Sequence, residues 1–261
     1  MQLELESWLL FIGFFAGTLG TLIGAGGGFI LVPILVFLYP DYNPESITSI
    51  SLAVVFFNAL SGTLSYARIK RIDYKSGLVF SIAIVPGAIA GALSVYFISI
   101  KLFNAIFGSI LVMISVYLLL KPAKNVEMST KKNDYRSFSN IALGVVLSVF
   151  VGYLSSLLGI GGGIIHVPML VYLLHYPVHI ATATSQFILA ITAFVGALTH
   201  LAHGAFSQSS VHLITYLSIG VIIGAQCGAF ISRRVQGILI IRSLAIALIF
   251  VGIRVLYAAV S

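Results

Sequence analysis

The chain has 261 residues, of which 59% are hydrophobic and only 8% charged, against roughly 25% charged in a soluble domain. That excludes a soluble globular enzyme and predicts an all-α polytopic membrane protein, because several apolar runs approach or exceed the about 20 residues needed to cross a bilayer. The net charge of +7 is gathered in clusters between apolar runs, which points to the lipid surface and away from nucleic acid.

The N-terminal stretch MQLELES lacks a basic n-region, and the apolar run behind it is longer than a signal-peptide core, so the segment is expected to be retained. Apolar blocks follow at about 7–23, 28–39, 46–67, 77–99 and 102–120. Residues 121–138, KPAKNVEMSTKKNDYRSF, are the one long polar stretch and divide the chain near its middle. Five more blocks lie at about 139–158, 163–174, 181–202, 209–231 and 237–260. Cys227 is the only cysteine, so no internal disulfide forms.

The two halves repeat one another. Gly24, Gly26, Gly27, Gly28 and Pro33 recur 135 positions on as Gly159, Gly161, Gly162, Gly163 and Pro168. Ser51, Asn58 and Gly62 correspond to Ser185, Thr192 and Gly196 at an offset of 134, and Phe97-Ile98-Ser99 returns as Phe230-Ile231-Ser232. An internal duplication of this kind predicts two packed halves, 1–120 and 139–261, joined by a cytoplasmic linker at 121–138 within one membrane domain.

Orientation follows from the basic residues. The second block of each half, about 12 residues, reaches only about 18 Å as a helix, too short for a core of about 30 Å. Blocks one and two therefore either share one crossing or form a hairpin that enters and returns. A hairpin in each half gathers Arg68, Lys70, Arg71 and Lys75, then Lys121 to Arg136, then Arg233, Arg234 and Arg242 on one face, and leaves Lys101 on the other. It also puts Glu4, Glu6, Asp41 and Glu45 outside. The hairpin fits the positive-inside rule better. Each half then has three crossings plus a hairpin of short helices, both termini lie outside, and the halves are inverted, with the glycine hairpins entering from opposite faces.

Broken backbone at membrane depth is tolerated only where it is buried in protein or lines a watery cavity. A short helix starting after Gly28 or Gly163 presents unpaired N–H groups, and these with the helix dipole favour an anion. Gly26, Gly27, Gly28 and Phe29, with Gly161, Gly162, Gly163 and Ile164, are therefore candidate substrate contacts. Pro33 and Pro168 would free the carbonyls of Phe29 and Ile164. Small residues also serve close helix packing alone, but two matching runs that face each other favour a site.

On the third block of each half, Ser51, Asn58 and Gly62 share a helical face, and Ser185, Thr192 and Gly196 repeat it. Tyr66 and His200 extend the face by a turn, Gln186 adjoins it, and Gln226 lies on a fourth block. These residues line a cavity or bond neighbouring helices. No Asp or Glu lies inside an expected span, which argues against a carboxylate proton relay and favours an unopposed anion site. His166 is the only titratable group in either hairpin, either an anion or proton contact or a packed neutral side chain. Arg254, about 18 Å along its helix from Arg242, either snorkels to the outer surface or supplies a counter-charge.

The pattern Gly20-x3-Gly24-x-Gly26-Gly27-Gly28-x4-Pro33, echoed by Gly159-x-Gly161-Gly162-Gly163-x4-Pro168, resembles the sulfite exporter TauE/SafE family, also called toluene sulfonate uptake permeases. The stretch 49–78 is similar as well, and the resemblance spans both halves; Ser155 departs from it where the first copy has Gly20. The resemblance implies transport of sulfite, sulfonates such as sulfoacetate, taurine or aryl sulfonates, or related anions across a prokaryotic inner membrane. Spacing alone yields only an anion transporter.

The expected function is a secondary transporter working by alternating access, with no cofactor, metal or catalytic residue, and with a coupling proton or other ion as a candidate partner. No GxxxxGK[ST] motif is present for direct ATP drive. An anion channel is a close alternative, distinguished by high conductance without counter-transport. An intramembrane hydrolase using Ser155 or Ser156 with His166 or His200, or a structural scaffold, leaves the doubled architecture unexplained. Oligomeric state is not readable from the sequence.

Overall fold

The computed structural model describes residues 2–120 and 137–260, with side chains over 7–120 and 137–259. Among the described residues all regular structure is helical. The first half holds α1 (Gln2–Ile23), α2 (Gly28–Leu38), α3 (Pro44–Arg68), α4 (Tyr74–Ser94, continued by a 3₁₀ turn Val95–Phe97) and α5 (Ile100–Leu120). The second holds α6 (Phe138–Leu157), α7 (Gly163–Pro168, continued by a π turn Met169–Leu173), α8 (Val178–Ala202), α9 (Gln208–Ser232) and α10 (Gly237–Val260). The linker at 121–138 lies outside the described residues except for its last two, where the Ser137 hydroxyl caps α6 by accepting the Asn140 N–H at 3.4 Å. Ser207 caps α9 in the same way through Ser210 at 3.2 Å.

Among the described residues, seven helices are long and apolar enough to cross a bilayer: α3, α4 with its 3₁₀ turn, α5, α6, α8, α9 and α10. The expected hairpins are less even than the sequence implies. With no breaker before Gly24 or Gly159, α1 extends over 22 residues and α6 over 20, whereas α2 has 11 and α7 only 6. Each hairpin therefore has one long arm and one short arm, not two short ones. The halves also differ: Pro33 sits inside a continuous α2, whereas the helix after Pro168 widens into a π turn.

Glycine contacts fix the directions of the helices. Gly220, Gly224 and Gly228 on α9 face the carbonyls of Leu10, Phe14 and Thr18 on α1, so these two helices run parallel in close backbone contact. A Cβ on any of the three glycines would come within 2.2–2.4 Å of those oxygens. Likewise Gly87 and Gly91 on α4 face Val149 and Tyr153 on α6. The first helix of each half thus packs along the fourth helix of the other half, which interlocks them.

On α3, Ser61 and Ser65 bond to Ile222 and Gln226 of α9 in ascending order, so α3 also runs parallel to α9. Since α1 and α3 both run with α9, the chain between them must double back, and α2 is the returning arm. The same holds for α7, because α6 and α8 both run with α4: Arg71 meets His179, the Asp73 N–H reaches Thr184, and Gly77 faces Phe187. Between the halves, α3 and α8 are antiparallel, with Leu52 beside Gly196 and Gly62 beside Gln186.

The surface and the interior invert the pattern of a soluble protein. Trp8 is 68% exposed and Phe250 76%, while Thr21, Ser51, Asn58, Gln186 and Thr192 are fully buried. Contiguous exposed apolar side chains suit lipid, and buried polar side chains at helix interfaces must satisfy one another or a ligand.

Candidate functional site

The two glycine loops bend through backbone conformations that only glycine enters without steric cost. Gly24, Gly26 and Gly27 have φ of 81°, 78° and 78°, and Gly159, Gly161 and Gly162 have 70°, 74° and 97°. The first loop is closed by the Ala25 and Gly26 N–H groups donating to Gly20 O at 2.7 and 3.1 Å. Helix α2 then starts, with Ile30 and Leu31 donating to Gly27 O; α7 starts with Ile165 and His166 donating to Gly162 O. Neither start has a side-chain cap, because Gly27 and Gly162 occupy the capping positions.

The loops meet each other at mid-height of α3 and α8. Gly26 and Gly161 both lie against Val55 and Leu189, one from each half at the repeat offset. Gly28 abuts Gly159 O and Ile160, and Gly163 abuts Gly24 O and Ala25. The fit leaves no room for a side chain: a Cβ at Gly163 would stand 2.3 Å from Gly24 O, and one at Gly28 would stand 2.8 Å from Gly159 O. Two serines complete the crossing. Ser51 donates to Gly159 O at 2.6 Å, and Ser185 donates to Gly24 O at 3.0 Å. Each repeat therefore satisfies a loop carbonyl of the other. Phe29 and Ile164, the second residues of α2 and α7, are fully buried beside this junction.

Next to the junction lies a cluster made from both halves. Thr21 Oγ1 donates to Asn58 Oδ1 at 3.1 Å, and Gln186 Nε2 donates to Thr21 Oγ1 at 3.2 Å and to Asn58 O at 3.4 Å. Tyr66 OH donates to Thr21 O at 2.8 Å. Gly62 makes the room, since a Cβ there would come within 2.7 Å of Gln186 Nε2. The cluster is incomplete: Asn58 Nδ2 and Gln186 Oε1 are buried without a partner. An orphaned buried polar group costs about 1–3 kcal/mol, so a donor and an acceptor left open within one cluster mark a place where a polar ligand would be favoured.

The corresponding positions in the second half are poorer in polar groups. Ser156 stands for Thr21, Thr192 for Asn58, Leu52 for Gln186 and His200 for Tyr66. Thr192 spends its hydroxyl on Ile188 O of its own helix at 2.9 Å, and Ser155 Oγ and Ser156 Oγ are buried without partners. His200 lies between Thr48, at 3.4 Å from Nε2, and Tyr96, at 3.2 Å from Nδ1. His166 is placed apart from the cluster, with its Nε2 3.3 Å from Ser148 Oγ on α6.

Of the residues expected from sequence, the structure brings Gly26, Gly28, Gly161 and Gly163 together with Ser51 and Ser185, and it brings Asn58 together with Gln186. Thr21, which links those two, was not singled out, although it stands three residues before Gly24 in the motif. Thr48 and Tyr96 were also missed; no local pattern pairs them with a histidine 152 and 104 positions away.

Comparison with known proteins agrees with the motif. The family model for sulfite exporter TauE/SafE matches residues 9–255. The chain is 34% identical to the probable membrane transporter protein YunE of Bacillus subtilis, covering 97% of both chains. It is 32% identical to a probable membrane transporter protein of Methanocaldococcus jannaschii, over 82% of this chain and 78% of that one. A probable membrane transporter protein of Haemophilus influenzae is 27% identical over 88% and 87%. No solved structure matches the chain.

Proposed function

The chain belongs to the sulfite exporter TauE/SafE family of membrane proteins, and from that premise we propose that it is a secondary transporter of sulfur-containing anions: sulfite or sulfonates such as sulfoacetate, taurine or aryl sulfonates. The observation that carries this reading is the unfinished Thr21–Asn58–Gln186 cluster beside the junction of the two glycine loops. An oxyanion needs hydrogen-bond donors to replace its water. The open Asn58 amide and the N–H groups at the starts of α2 and α7 are such donors, aided by the helix dipoles.

Substrate binding and loop movement are then one event. Because Gly28 and Gly163 touch the opposite loop, an anion reaches the helix starts only when the loops part. We read the halves 1–120 and 139–261 as inverted repeats whose rocking opens this junction to one side at a time, as the antiparallel α3 and α8 support. The basic ends of α3 and α9 face the cytoplasm under the positive-inside rule, with both termini outside, in a prokaryotic cell membrane. A transporter accounts for the duplicated framework; a hydrolase needs a serine beside a base, and the nearest such pair, Ser148 with His166, is sealed inside the packing of α6 on α7.

Proteoliposomes holding the purified chain test this against a channel. Efflux of labelled sulfite, sulfoacetate, taurine and an aryl sulfonate is expected to saturate for at least one of them, without measurable conductance. Conductance far above carrier turnover would establish a channel, and failure to move any of the four would refute the substrate class.

A further inference from the structure

At the basic end of the molecule, α3 and α9 splay around a cavity of about 220 Å³ lined by Ser65, Arg68, Ile69, Gln226, Phe230 and Arg233. That is room for several waters, or for a small oxyanion with part of its hydration shell. Arg68 and Arg233 are exposed, and neither makes an ion pair among the described residues. The only acidic side chain described near this end, Asp73, is engaged by Ser76 Oγ at 2.9 Å and Tyr176 OH at 3.5 Å. Among the described residues, two guanidinium groups thus share one polar cavity with no carboxylate paired to either, and guanidinium is the side chain best shaped to hold an oxyanion through paired N–H donors.

The cavity is also connected inward. Its lining includes the exposed Gln226, whose amide donates to Ser61 O at 3.0 Å and Ser61 Oγ at 2.7 Å and accepts from Ser65 Oγ. Ser61 stands one turn from Asn58 on α3, whose Nδ2 is the open donor of the central cluster. Ser65, Ser61 and Asn58 make a polar line down α3 from the arginines to the glycine junction. The opposite end of the molecule has no equivalent: the repeat places Ala202 where Arg68 stands, Ile100 where Arg233 stands and Leu93 where Gln226 stands.

We infer that this cavity is an oxyanion-binding subsite at one mouth of the transport route, held by Arg68 and Arg233 with Ser65 and Gln226. It takes a sulfonate, sulfite or phosphate group from solution, one step before the central cluster. The identity of that anion as cargo rests on the transporter reading; the subsite itself does not. A phospholipid headgroup has the same oxyanion chemistry, so the test separates the two sources.

The probe is Ile69→Cys in a Cys227→Ser background, labelled with a neutral thiol reagent in the full-length protein. Labelling is followed in lipid-free detergent, in nanodiscs of neutral lipid, and in nanodiscs containing phosphatidylglycerol. Methanesulfonate and inorganic phosphate are expected to slow labelling in detergent and in neutral nanodiscs. Arg68→Gln with Arg233→Gln should weaken that protection by about 10-fold or more, while Arg68→Lys with Arg233→Lys, which keeps the charge but loses the paired donors, should weaken it less than the glutamine pair does. These arginines are exposed, so the variants fold. Protection that is absent, that ignores the glutamine substitutions, or that occurs only with phosphatidylglycerol overturns the proposal. Arginine-dependent protection in a protein that transports no sulfur anion would keep the subsite and refute its cargo.

Discussion

The cluster around Asn58 and its counterpart around Thr192 share a backbone but not a chemistry. In both, a small residue on the third helix of one half makes room for a side chain from the other: Gly62 for Gln186, and Gly196 for Leu52. The first pocket receives an amide and keeps an amide donor and acceptor open; the second receives an isobutyl group, its threonine bonds its own helix, and only the Ser156 hydroxyl beside it is left open. The junction between them, with Ser51 and Ser185 each capping the opposite loop, is nearly symmetric. Duplication thus supplies a frame in which two loops meet, and divergence gives its two sides different polar chemistry.

The largest expected effect breaks the frame. Gly27→Ala places a Cβ 2.6 Å from Ala16 O, a backbone atom that cannot yield, in addition to the about 1–2 kcal/mol cost of a left-handed alanine. Loss of monodisperse protein after extraction is the expected result. Gly162→Ala meets the Ser155 hydroxyl at 2.3 Å, with Ser155 Cβ and Val151 Cγ1 at 3.2 and 3.4 Å, so adding Ser155→Gly should restore the thermal stability lost to the clash but not the conformational cost at φ 97°. Gly204→Ala, with φ of 71° but open space around it, should cost only the conformational term, about 1–2 kcal/mol by thermal unfolding.

Exchanging the two chemistries is the next test. Gln186→Leu copies the second pocket into the first and should lower transport by about 10- to 100-fold while the protein stays folded, the scale of losing hydrogen bonds to a charged ligand. Thr192→Val should change transport by less than about 3-fold, because its hydroxyl is already spent on the helix. Equal losses in initial-rate assays would erase the distinction between the halves. A smaller effect tests the symmetry of the junction: Ser51→Ala and Ser185→Ala should each cost about 1–3 kcal/mol by leaving a buried carbonyl bare. Their double variant should deviate from additivity, since the two bonds brace the same pair of loops. The least expected change is His166→Gln, whose partner is Ser148 and not the cluster; transport should stay within about 3-fold of the parent.

Much of the fold was legible because the signals are local. Every apolar block lies within five residues of an observed helix, from 237–260, matched at both ends, to 7–23, where α1 begins five residues earlier at Gln2. The doubled glycine motif located both breaks. What could not be read was which helices pair. Gly13 and Gly17 on α1 and Gly220, Gly224 and Gly228 on α9 carry a spacing that fits close packing, but spacing does not name the partner, and the first-to-fourth interlock between halves emerges only in three dimensions. The roles of the site residues were hidden for the same reason. Ser51 reads as one more polar residue on a small-residue face, and its bond to a loop carbonyl 108 residues away has no local signature. Long-range contacts also give the glycines a duty that no local pattern shows: they pack the two loops against each other.

The central claim is that anion binding and separation of the loops are the same event. Val55 touches both Gly26 and Gly161 and is fully buried, so a cysteine there reports the junction directly. In Val55→Cys with Cys227→Ser, labelling by a water-soluble thiol reagent should be slow without substrate and rise by about 10-fold or more under a saturating transported sulfonate, as expected for a shift toward an open state that binds the anion preferentially. An unchanged labelling rate in a variant that still transports the sulfonate would contradict the account.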